Sequence, residues 1–186
     1  MKDANSLKIS NQIGPIAQGT GFLPFGPVAA RGSYLKIEFE GIAGVKAREI
    51  SLKLVWLNLP TNFGVYFQGY QPKNAISNHS FYVDFYWNSG ADLYLFNDRP
   101  LELFTEDTEG SLQHERVFDL IIDPKWIYSN NCSIKMALVG SEFAFGHAVY
   151  AEIMLKAALC AANGEQTELP NPPFTPKVKK LSLSLN

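Results

Sequence analysis

Phe81-Tyr82-Val83-Asp84-Phe85-Tyr86-Trp87 is the stretch whose reading decides the fold class. Phe81, Val83, Phe85 and Trp87 fall at every second position, with Tyr82, Asp84 and Tyr86 between them. Side chains of a strand alternate between its two faces. This spacing therefore makes one face core and turns tyrosines to the other. Asn88-Ser89-Gly90 reads as a turn, and Leu93-Tyr94-Leu95-Phe96 follows as a second strand whose Tyr94 is expected on the tyrosine face.

The same alternation recurs outward in both directions. Leu35, Ile37 and Phe39 form one strand, broken at Gly41–Gly44. Ile50, Leu52, Leu54 and Trp56 form another, ended by Leu59-Pro60-Thr61-Asn62. Val65-Tyr66-Phe67 reads as a short strand, 106–113 as an acidic loop, and Val117 to Ile122 and Ser133 to Val139 as two more strands around a turn at 129–131. Strands separated by regular turn signals predict a mainly β chain, an antiparallel β-sandwich. One segment departs from period two. Residues 150–162 are rich in helix formers, with Ile153, Ala157 and Cys160 on one face near Tyr150, and Asn163-Gly164 is a helix stop. The expected architecture is an antiparallel β-sandwich with one α-helix near the C-terminal end.

Composition sets the limits. The chain has 186 residues, enough for one well-buried core. Apolar residues make up 46% and aromatics 13%, which excludes an intrinsically disordered chain. Charged residues are 18%, below the usual quarter or so, and an uncharged surface of this kind predicts that part of it is covered. With 16 Lys and Arg against 18 Asp and Glu the net charge is −2, so no global basic field exists to collect nucleic acid. No apolar run reaches the length of a membrane span. Cys132 and Cys160 match neither a disulfide scaffold nor a zinc motif, and read as buried thiols of a reducing compartment.

Pro and Gly divide the chain. Residues 1–32 read as an extended Gly/Pro-rich arm, 33–164 as the sandwich core with its helix, and 165–177 as a stiff proline-rich connector. Val178, Leu181, Leu183 and Leu185 then read as the first strand of a following domain, as if the chain were cut from a longer one.

No residues group into chemistry. His79, His114 and His147 are isolated in sequence, with no HxH or HExxH spacing. His147 reads as a hydrogen-bonded histidine at a chain reversal. Glu102, Glu106, Asp107 and Glu109 read as a solvated acidic run. There is no phosphate loop and no nucleophile elbow. The expected catalytic, metal and cofactor residues are therefore none. Aromatics are the abundant resource. Phe22 and Phe25 of the arm and Tyr82 and Tyr86 of the strand face are the candidate interface residues. Such a tyrosine face stacks sugars, packs on another protein, or is covered by the sandwich's own loops.

Several stretches together resemble one family. Gly19-Thr20-Gly21-Phe22-Leu23-Pro24-Phe25-Gly26-Pro27 with Gly32-Ser33-Tyr34 comes first. Trp56-Leu57-Asn58-Leu59-Pro60, Tyr66-Phe67-Gln68-Gly69-Tyr70 and Leu95-Phe96 follow. Then come Phe145-Gly146-His147 with Tyr150, and Leu169-Pro170-Asn171-Pro172-Pro173-Phe174-Thr175-Pro176 with Leu181-Ser182-Leu183. In this order they resemble the baseplate-wedge, or baseplate-J-like, subunits of contractile injection systems: myophage tails, phage-tail-like particles and type VI secretion. The resemblance implies an excised structural domain with no enzymatic residues. It implies other wedge subunits and sister domains of the same chain as partners, in a cytoplasmic particle. A carbohydrate-binding β-sandwich is the alternative, and a hydrolase using Glu102 or His147 a third.

Overall fold

The computed structural model describes residues 7–17, 19, 21–40, 48–70, 76–89, 92–126, 131–140, 142–165 and 169–186. The expected breaks at Gly41–Gly44, Gly90 and 129–130 lie outside them. The larger sheet carries β1 (Lys8–Asn11), β2 (Gly14–Ile16), β3 (Tyr34–Glu40), β5 (Tyr82–Ser89), β6 (Asp92–Leu95), β7 (Leu101–Glu102) and β9 (Asn131–Gly140). The smaller sheet carries β4 (Glu49–Leu57), β8 (Glu115–Ile121) and β10 (Lys177–Leu185). The strand orders are β2-β1-β3-β9-β5-β6, with β7 also on β5, and β10-β4-β8. Every pairing is antiparallel.

The alternation read from sequence builds the core. In β4, Ile50, Leu52, Leu54 and Trp56 are buried, and in β5 Val83, Phe85 and Trp87 are buried. Phe85 of the larger sheet meets Phe118 of the smaller one with ring centroids 4.8 Å apart. The chain is a mainly β, antiparallel sandwich. Its long helix, α2 (Tyr150–Ala162), buries Ala157 and half-buries Tyr150, Ile153 and Cys160, the face expected. It stops where Gly164 takes a φ of +79°, a conformation that costs glycine no Cβ clash. No helix among the described residues is long and apolar enough to cross a membrane.

Five expectations are corrected. Residues 65–67 are not a strand, because Asn62 caps a short helix there, α1 (Phe63–Tyr66), and its side chain accepts from the N–H groups of Gly64 and Val65. The expected extended arm is instead part of the sandwich where it is described: β1 and β2 form a hairpin that extends the larger sheet from β3. Phe22 then exchanges two backbone hydrogen bonds with Val178, 2.9 and 2.8 Å long. Residues 178–186 do not open another domain. They form β10, which runs beside β4 from Lys177 opposite Leu57 to Leu185 opposite Ile50. Its partner lies far upstream, so no local pattern announces the pairing. The connector 165–177 is packed against the sandwich where it is described, as set out below. Finally, Tyr94 sits opposite Trp87 and so on its inner face, because directly paired residues share a face of the sheet.

Candidate functional site

Three of the stretches that carry the family resemblance, at Tyr66–Tyr70, Phe145–His147 and 169–176, are scattered in sequence and meet in space. Phe63 stands at the centre of an aromatic cluster, with ring centroids 4.9 Å from Phe81, 5.1 Å from Phe104, 5.2 Å from Phe174 and 5.7 Å from Phe67. Phe81 stacks on Phe145 at 4.1 Å. The proline strap 169–176 closes this cluster. Tyr66 Oη donates to Pro172 O at 2.9 Å, Tyr70 Oη donates to Asn171 O, and Asn171 Nδ2 donates back to Tyr66 O at 2.8 Å. Phe174 N donates to Phe145 O at 3.0 Å. Burial pushes both phenols up, that of Tyr70 the more strongly, so each keeps the proton it donates.

Gly146 explains why its neighbourhood reads Phe-Gly-His. It has a φ of +90°, and a Cβ there would lie 2.7 Å from Tyr70 Cε1. The next residue, His147, places Nε2 3.1 Å from Thr175 Oγ1, and Thr175 Oγ1 donates to Pro27 O at 3.3 Å. Burial lowers the pKa of His147. The histidine is thus a fastener between the chain reversal, the strap and the residue-27 loop. Glu102 is not its partner: that carboxylate is engaged by His79.

The four candidate interface residues divide. Phe22 is 8% exposed and Phe25 fully buried, so both belong to the core and neither offers a docking surface. Tyr82 and Tyr86 are half-buried on the outward face of β5, as the alternation required. Tyr86 does not pair with Tyr82 in a flat platform, because four residues of strand separate them by about 13 Å. Lys135 of β9 instead holds Nζ 4.7 Å above the Tyr34 ring and 6.0 Å from that of Tyr86. Tyr94 stacks on Trp126 at 5.4 Å, and Phe96 meets the same indole edge-on at 4.8 Å.

Two features escaped the sequence reading. The first is a fastener at His79, whose Nδ1 lies 3.1 Å from Glu102 Oε2 and whose Nε2 lies 3.2 Å from Glu106 Oε1. Neutral imidazole has one N–H, so only the imidazolium donates to both carboxylates. The hydrogen bond to Glu102, then that to Glu106, raises the His79 pKa. Hydrogen bonds from Asn78 first and His79 second lower that of Glu106. The partners are 23 and 27 positions downstream, too far for spacing to reveal. The second is the outer side of α2, where Ala151, Leu155, Ala158, Leu159 and Ala162 are exposed, Leu155 at 62% and Leu159 at 58%. Glu152 and Lys156 pair across one edge of this side at 2.7 Å, and the rest of it is apolar, a pattern more usual on a covered helix face. That signal stood in the sequence, which was read only for the inner face.

Cys132 is buried and Cys160 half-buried, and neither is in a disulfide. Among the described residues no three His, Cys, Asp or Glu side chains gather into a metal-holding group. No protein-family model matches the chain, and no curated protein matches it.

Proposed function

We propose that the chain is a structural assembly module of a contractile-injection baseplate, making protein–protein contacts with other wedge subunits. The observation that carries the assembly role is α2. Its inner side packs on the sandwich while Leu155 and Leu159 stand outward among alanines, beside the exposed Glu152–Lys156 pair. Water-facing leucines on a helix already apolar beneath suit a surface covered by another protein. The narrower baseplate reading rests on the ordered motifs from Gly19 to Leu183. The convergence of Tyr66–Tyr70, Phe145–His147 and the strap on one aromatic cluster supports a framework role for those residues rather than a catalytic one.

The test is co-expression with the wedge subunits encoded beside the parent gene. The expected result is a complex that Leu155→Glu with Leu159→Glu weakens by at least about tenfold. A parent chain that forms no complex with any of them overturns the reading. The outward Tyr34 and Tyr86 beside Lys135 favour a second reading, a carbohydrate-binding module. Sugar titration followed by tryptophan fluorescence separates the two: saturable binding abolished by Tyr86→Ala and Tyr82→Ala selects the second.

A further inference from the structure

Among the described residues, the hydrogen-bond parity of the smaller sheet leaves one edge unused. Trp56 N donates to His114 O at one end of the β4–β8 ladder, and Ile122 N donates to Arg48 O at the other. With Leu52 opposite Phe118 between them, the even-numbered residues of β8 turn their backbone groups toward β4. The N–H and C=O groups of Glu115, Val117, Asp119 and Ile121 therefore point away from it, and β8 ends the sheet. None of them meets a backbone partner among the described residues.

The two edges of this sheet are treated differently. On β10, Phe22 occupies Val178, the register shifts between Val178 and Lys180, and Lys179 and Lys180 are exposed. A bulge and edge lysines discourage pairing with another strand. β8 carries no proline, no bulge and no lysine; its charges are Glu115, Arg116 and Asp119, and it exposes Val117 at 43% and Ile121 at 75%.

We propose that β8 pairs antiparallel with β8 of a second copy of this chain, about a two-fold axis at Phe118. In that register Glu115 faces Ile121 of the second copy, and Val117 faces its Asp119. All these residues carry the outward backbone groups, so each pair is of the doubly hydrogen-bonded kind. The outer faces of the two sheets also stay continuous. Charge disfavours the two adjacent odd-numbered registers. A two-fold at Val117 would set Glu115 against Asp119, and one at Asp119 would set that carboxylate against itself. With the axis at Phe118, Lys53, which neighbours Val117 in β4 and bridges Glu115 of its own chain at 2.6 Å, falls in the same cross-strand row as Asp119 of the second copy. The pairing is small beside the ~1,600 Å² of a standard interface, so the dimer is weak and concentration-dependent. It stands on the backbone geometry and charges of this edge and is independent of the baseplate reading.

Sedimentation equilibrium from about 10 μM to about 1 mM, with amide exchange at both ends of the range, tests it. The expected result is a monomer–dimer equilibrium. The amides of Val117, Asp119 and Ile121 slow at high concentration, while those of Phe118 and Leu120, already bonded to β4, do not change. Val117→Pro removes an outward N–H that the β4 ladder does not use, and yields a monomer. Asp119→Lys sets two positive charges in the Lys53 row and weakens the dimer about tenfold. Adding Lys53→Asp to it restores pairing, which a variant that merely misfolds does not. A monomer at every concentration overturns the proposal, as does growth beyond a dimer. So does a dimer whose outward β8 amides exchange as fast as in the monomer.

Discussion

Phe174→Ala tests whether the proline strap is part of the folded core. Phe174 is 7% exposed, with ring centroids 5.2 Å from Phe63, 6.0 Å from Phe145 and 6.1 Å from Tyr66. Its backbone N–H to Phe145 O survives the substitution, so the loss is confined to the side chain. Truncating the ring exposes or empties about 150 Å² of apolar contact, worth about 3–4 kcal/mol at ~25 cal/mol per Å². This agrees with the ~3–5 kcal/mol seen when core phenylalanines are cut to alanine. Chemical denaturation followed by the fluorescence of the three tryptophans reads the change as a lower midpoint with an unchanged slope. In a thermal melt the loss corresponds to roughly 10 °C for a domain of this size. Phe174→Leu keeps most of the volume and costs less than about 1.5 kcal/mol. If the strap were a linker lying loosely on the surface, the alanine variant would stay within about 0.5 kcal/mol of the parent, and that result refutes the reasoning.

Three more outcomes follow from the same contacts. Gly146→Ala adds a Cβ 2.7 Å from Tyr70 Cε1 at a φ of +90°. It lowers stability by more than about 2 kcal/mol in the same denaturation assay. The His79 fastener has a defined pH window. The raised His79 pKa means that its stabilisation is full below the ordinary histidine value and fades as pH rises through the folded one. The lowered Glu106 pKa means that its share is present above the ordinary carboxylate value and fades as pH falls through the folded one. Both hold between the ordinary values of 4.5 and 6.5, and an NMR titration of His79 returns toward the ordinary value in Glu102→Gln. His147 titrates in the opposite sense. Its lowered pKa makes the fold favour the neutral ring, so that contribution is present at neutral pH and is lost as pH falls through the folded value. A His147 resonance titrating above free histidine contradicts the burial assigned to it.

The local periods were legible because they are properties of short segments. Period two over 81–87 located β5 and its outward tyrosines, and the helix formers of 150–162 located α2 with its inner face. The misreadings share a cause. Phe22 and Phe25 among glycines and prolines look like anchors seeking another surface, and the surface they find is this chain's own. Val65-Tyr66-Phe67 has β-forming residues, but a single Asn62 cap outweighs three weak preferences. The face of Tyr94 is set by the register between β5 and β6, which pairs it with Trp87 and which alternation within one strand does not encode.

By itself, then, the sequence determined a mainly β chain, the position of most strands, one long helix and the face each presents to a core. These follow from side-chain period and backbone preference, which act over a few residues. Only the tertiary structure decided that β10 completes the sheet of β4, that the strap closes over Phe63, and that His79 joins two distant glutamates. Those contacts link residues tens to more than a hundred positions apart. Their formation depends on which buried faces and unpaired strand edges remain when the sandwich closes, and no local spacing encodes that competition.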